Sequence, residues 1–152
     1  MDGGIARRIG SGAQSLKTAI DTNVLSALLS GEAASQECKN QLDDAQLRGE
    51  LVICAPVYAE LCAYPGAAKA LVLKFLDETG IVLDFQITEA VWHETAMRFE
   101  NYANRRRKSR GGTPKRMLVD FIVGAHALLT ADRFLTLDQH RYVKDFPELN
   151  LI

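Results

Sequence analysis

Residues Leu118 to Asp138 read LVDFIVGAHALLTADRFLTLD. As far as Leu129 the stretch is apolar almost all round, the mark of a helix buried between other elements. Beyond Asp132, RFLTL is a short strand closed by an acid. Upstream, too, a short strand is closed by an acid. TAID, Thr18 to Asp21, is a short apolar run ending in an acid, followed by Thr22-Asn23 and the helically spaced VLSALL. LVICA, from Leu51, is a second buried strand, after which Pro56 suits the start of a helix that Pro65-Gly66 stops. Glu32 to Arg48 has the spacing of an amphipathic helix, and a helix from Ala67 to Glu78 leads through Gly80 into a third strand, IVLDF. Thr88 is placed to cap a long helix through Trp92, Met97 and Phe99. After the Leu118 unit, His140 to Lys144 makes one helical turn and LNLI at the C-terminus is a fifth strand. Strands alternating with helices predict an α/β fold: a mainly parallel five-stranded sheet flanked by helices on both faces.

At 152 residues and 47% hydrophobic composition the chain makes one domain, long enough to bury a core without disulfides or a structural metal. Cys38, Cys54 and Cys62 are odd in number and form no C-x-x-C pair, which fits a reducing cytoplasm better than a secreted scaffold. The richest apolar stretch, Leu51 to Ala68, is interrupted by Glu60 and two prolines, so no membrane span is expected. Residues 1–17 hold two arginines with no apolar region behind them; they read as a frayed tail ahead of a domain at 18–152.

In open parallel sheets ligands bind beyond the carboxyl ends of the strands. Asp21 and Asp138 each follow a strand and project from that edge, whereas Asp132 precedes its strand and falls at the opposite edge. Asp84 also ends a strand, and spacing does not exclude it. Asp120 sits among Leu118, Val119, Phe121 and Ile122, where an unpaired carboxylate is costly to desolvate. Glu60 stands in the second turn of a short apolar helix that begins just after a strand. Carboxylates converging without a matched Lys or Arg repel one another unless a divalent cation lies between them, and hard oxygen ligands suit Mg²⁺ or Mn²⁺. Such a site hydrolyses phosphodiesters.

The net charge of −1 conceals a segregation: seven of the 18 basic residues, and no acids, lie between Asn101 and Arg116. A strip of Arg105, Arg106, Arg107, Lys108 and Arg110 on an otherwise acidic chain offers a polyanion the attraction that an acid pocket lacks. Tyr102 beside it is able to stack a base or to pack. His126 and His140 lack metal-ligand spacing and read as structural, and Cys54 and Cys62 as inert.

IDTNVLSALL, APVYAEL and LVDFIVGAHALLTADRFLTLDQHRYVKDFPELNLI resemble, in order, the motifs of the PIN domain, most closely the VapC-like toxin ribonucleases of toxin–antitoxin pairs. The resemblance spans about Thr18 to Ile152. It implies an endoribonuclease whose acidic quartet, Asp21, Glu60, Asp120 and Asp138, holds Mg²⁺ (or Mn²⁺), with Asn23 supporting Asp21. It implies further an RNA substrate, a homodimer and silencing by a cognate antitoxin. Asp84 matches no functional position of the family, and Gly124 stands where Ala is common. An RNA-processing nuclease outside a toxin–antitoxin pair, or a non-catalytic RNA-binding domain, stays open as an alternative. A receiver-type phosphoacceptor, which needs an acid pair after its first strand, does not fit Asp21-Thr22-Asn23, nor does a D-x-D phosphatase.

Overall fold

The computed structural model describes residues 15–110 and 115–152. Four strands, β1 (Thr18–Ile20), β2 (Leu51–Cys54), β3 (Val82–Asp84) and β4 (Arg133–Leu135), form one parallel sheet in the order β3-β2-β1-β4. The helices that flank it are α1 (Thr22–Ser30), α2 (Ser35–Arg48), α3 (Ala55–Ala63), α4 (Lys69–Thr79), α5 (Glu89–Lys108), α6 (Leu118–Thr130) and the single turn α7 (His140–Val143). The expected fifth strand is corrected to one bridge. Leu149 N–H still closes a turn onto Phe146 O (3.1 Å), so only Asn150–Ile152 run beside β4, and Leu151 alone pairs, with Phe134.

Burial follows position in the sheet. Every residue of β1 and β2 is buried, whereas β3, at the edge, is exposed at Val82. Hydrogen bonding begins before β1, where Leu16 N–H donates to Arg48 O (2.8 Å). The chains pass so closely there that a Cβ on Gly49 would lie 2.3 Å from Leu16 O.

Helix α6 is buried from Phe121 to Ala127 and packs along α5 and against β1 and β4. The Phe146 ring packs against it at Gly124. A Cβ at Gly124 would stand 2.6 Å from Phe146 Cε2, so glycine is what lets the ring lie on the helix backbone. Phe146 joins Phe121, Tyr142 and Phe134 in an aromatic cluster, with Phe134 and Tyr142 edge to face at 4.9 Å. Tyr142, 1% exposed, carries this core up to the carboxyl edge of the sheet.

Candidate active site

Asp21 ends β1 and caps α1. Its side chain accepts from the N–H of Thr22, the first helical residue, at 2.8 Å, although the acid is only 6% exposed. Its second oxygen accepts from the Thr136 hydroxyl at 2.8 Å and the Tyr142 hydroxyl at 3.1 Å. Burial nevertheless outweighs these three bonds and pushes the Asp21 carboxyl above its ordinary value. Burial, followed by the charge of Asp21, pushes the Tyr142 phenol upward too, so it stays a proton donor.

Hydrogen bonds tie the other acids to this centre. Thr22, whose N–H serves Asp21, donates its hydroxyl to Glu60 Oε1 at 2.9 Å from the first turn of α1. Partial burial raises the Glu60 carboxyl, and the charges of Asp21 and Asp120 add to the shift. Thr136 donates to Asp21 and accepts from Asp138 N–H at 3.1 Å. Asn23 donates to Thr136 Oγ1 at 3.4 Å and accepts from Leu137 N–H at 3.1 Å, pinning the β4–α7 turn beside Asp21.

Asp120 is the third residue of α6. One oxygen faces Met117 N–H at 3.4 Å, and the other faces Arg141 Nη1 at 3.4 Å. Arg141 Nε also stands 3.3 Å from Asp138 Oδ2, so one guanidinium joins two of the four acids. Desolvation works against its charge, but Asp120 and Asp138 overcome that and hold it firmly protonated. Glu60, Asp120, Asp138, Arg141, Lys115 and Arg116 line a cleft of about 410 Å³ that opens from this edge.

The donor chemistry fits a hard divalent cation: four carboxylates, two of them, Asp21 and Glu60, raised chiefly by burial. The geometry is not that of a closed cage. Among the described residues no three His, Cys, Asp or Glu side chains stand close enough to share one ion. Arg141 lies where the carboxylates of Asp120 and Asp138 would otherwise face each other across the cleft.

The remaining sequence candidates lie elsewhere. Asp84 turns from the crevice to His126 Nε2 at 2.9 Å, which accounts for a histidine only 1% exposed in α6. Burial would raise Asp84, but the His126 bond, helped by Gln86 N–H, outweighs it and holds the carboxyl low. Asp132 accepts from Lys17 N–H (2.7 Å) just ahead of β1 and β4, at the opposite edge. Tyr102 is buried against Phe99 and Phe121, and its hydroxyl accepts from Arg116 N–H at 2.5 Å, so it packs.

In the basic strip, Arg105 pairs with the buried Asp145, and Arg107 donates to Asn104. Arg106, Arg107 and Arg110 rim an apolar groove of about 470 Å³ at the end of α5, and Lys108 is the last residue of that helix. Lys115 and Arg116 are the strip's members that reach the acid cleft. Thr22, Thr136, Tyr142 and Arg141 escaped sequence reasoning. Only Arg141 carried a signal, standing one helical turn after Asp138.

The fold defines an α/β class with a parallel sheet and acids gathered at its carboxyl edge, and a known family lies within that class. The PIN domain family model matches residues 18–147, and the chain belongs to that family. PIN domains are generally nucleases. The fold is similar to that in VapBC2 from Rickettsia felis bound to a DNA fragment from their promoter. There the TM-score is 0.59 at 16% identity, covering 90% of this chain and 98% of that one. It is likewise similar to VapBC-1 from nontypeable Haemophilus influenzae, with TM-score 0.60 at 17% identity, covering 90% and 97%. No significant match was found among curated proteins. Among the described residues no helix is long and apolar enough to cross a membrane.

Proposed function

We propose that this chain is a Mg²⁺-dependent endoribonuclease, with Mn²⁺ able to substitute, and the toxin of a toxin–antitoxin pair. The observation that carries the reading is the linkage of Asp21, Glu60, Asp120 and Asp138 through Thr22, Thr136 and Arg141 at the carboxyl edge of the sheet, where the last three acids line one cleft. Family membership supports the nuclease chemistry. The likeness to chains from VapBC complexes supports a cognate antitoxin as partner. The family resemblance adds a homodimer, and three unpaired thiols suit the cytoplasm.

The four carboxylates would hold the ion, which when bound polarises a phosphoryl oxygen and acidifies a water. Asn23 and Thr136 keep Asp21 and the Asp138 turn in register. Glu60, raised and facing the cleft, is placed to take the proton of a water that attacks phosphorus as the 3′ oxygen leaves, which yields 5′-phosphate ends. Lys115 and Arg116 line the approach to the cleft. Arg106, Arg107, Lys108 and Arg110 extend the basic surface along the RNA backbone, with Arg105 contributing less because Asp145 already neutralises it.

The test is cleavage of single-stranded RNA with and without chelator. Activity should need Mg²⁺ or Mn²⁺, disappear in Asp138→Asn and leave 5′-phosphates. Chelator-resistant cleavage, or 2′,3′-cyclic phosphate ends, would overturn the mechanism. Co-expression with the product of the adjacent reading frame should suppress cleavage if the pairing is right.

A further inference from the structure

Among the described residues two arginines, Arg98 and Arg141, hold pairs of acids, and they do so differently. Arg98, with its side chain 12% exposed, makes 2.7 Å ion pairs to Glu94 and Glu148 and lies 5.1 Å over the Phe146 ring. That is a structural clamp. Arg141, with its side chain 41% exposed, stands 3.4 Å from Asp120 through Nη1 and 3.3 Å from Asp138 through Nε. Exposed pairs of this looseness contribute modestly to stability and hold the side chain less firmly than the Arg98 clamp does. The backbone beneath is nonetheless fixed, because the next residue, Tyr142, is buried in the aromatic cluster and bonded to Asp21. Arg141 is therefore a long cationic arm on a rigid pivot, free to swing into the adjoining cleft of about 410 Å³ without any change of fold.

A divalent cation would need the same oxygens. Mg²⁺ draws its ligands to about 2.0–2.1 Å, which a guanidinium lodged between the carboxylates does not allow. We propose that Arg141 is an internal counter-cation: it neutralises Asp120 and Asp138 while the site is empty, must leave them for a divalent ion to bind, and so sets the metal affinity. This rests on reading the acids as the metal site. Arg141 thereby keeps the acid cluster from repelling itself, and the cost is weaker metal binding. Removing its charge should reverse both effects.

The test is Mn²⁺ binding by the full chain at neutral pH and fixed ionic strength, followed by the paramagnetic resonance of the free aquo ion. Melting in chelator and in Mn²⁺ runs in parallel. Arg141→Gln should bind Mn²⁺ about tenfold or more tightly than the wild type, as expected when a like charge is taken from beside the ion. It should also melt lower in chelator and gain more from Mn²⁺. Arg141→Lys keeps the charge without the fork, so its affinity should fall between the two, and this variant decides the matter if the Gln variant does not fold. Asp138→Asn serves as the control for the site itself. If it abolishes binding while Arg141→Gln binds no more tightly than the wild type, or Arg141→Lys does not, the counter-cation role is overturned and the metal site stands. If Mn²⁺ binding is absent in the wild type, or is unaffected by Asp138→Asn, the metal-site reading fails and this proposal falls with it.

Discussion

Replacing Gly124 by alanine should destabilise this chain. Glycine inside a helix normally costs about 1 kcal/mol relative to alanine, so propensity alone favours the substitution. Packing opposes it. The new Cβ would meet Phe146 at 2.6, 2.8 and 2.9 Å, about 1 Å inside the usual carbon–carbon contact of roughly 3.5–4.0 Å. The ring has little room to retreat: Phe146 is 2% exposed, with Phe121 at 6.0 Å, Tyr142 at 6.4 Å and the Arg98 guanidinium 5.1 Å from its centroid. Overpacking a filled core costs about 1–3 kcal/mol, so a net loss of about 0–2 kcal/mol remains after the propensity gain is deducted, and the rigidity of the ring's surroundings places it toward the upper end. For a chain of this size that lowers the melting temperature by up to roughly 8 °C. Thermal melts of wild type, Gly124→Ala, Phe146→Leu and the double variant form a cycle, in which the smaller leucine should recover about 1 kcal/mol of the alanine penalty. A Gly124→Ala variant that melts higher than the wild type, with no coupling to Phe146, would refute the argument.

In chelator, Asp21→Asn should melt above the wild type at pH 7. Burial raises the Asp21 carboxyl, so its contribution to stability is fully present below the unfolded pKa of about 4 and is lost as pH rises through the folded value; the two proteins should converge in acid, and a lower melt at pH 7 would count against the assignment. Asp84 has the opposite sign: held low by His126, it stabilises above its unfolded pKa and loses that as pH falls through the folded value. Asp84→Ala should therefore cost about 1.5–3 kcal/mol at pH 7, the range for a hydrogen bond to a charged group, and much less near pH 3, measured by urea unfolding. Converting Arg106, Arg107 and Arg110 to Gln should weaken RNA binding and flatten its log–log salt dependence by roughly 0.7 per lost contact on a single strand, whereas Arg105→Gln should mainly lower thermal stability by orphaning Asp145; equal salt slopes would remove the strip from the RNA interface.

The amino-acid sequence alone determined the α/β class and the edge of the sheet at which Asp21 and Asp138 lie. Both follow from local rules: a short apolar run followed by an acid leaves that acid beyond the strand's carboxyl end, whatever the strand pairs with. The buried helix around Asp120 was legible for a similar reason, since its apolar residues run all round with a single acid in the first turn. Tertiary structure decided everything that depends on which distant residues meet. Asp84 and Asp138 have the same local form, yet Asp84 turns to His126, 42 residues away, and Asp138 to the cleft. The terminal LNLI has the composition of a strand, but the turn closed by Leu149 on Phe146 leaves a single residue to pair. In the sequence the hydroxyls of Thr22, Thr136 and Tyr142 carry no mark of a partner for the acids, and Arg141 carries only its place three residues after Asp138. They become partners only once Tyr142 packs on Phe134 and fixes the α7 turn over the end of β1. A short pattern records what a residue is and which way the local backbone turns it, whereas the sign and spacing of charges at a site are sums over the whole fold.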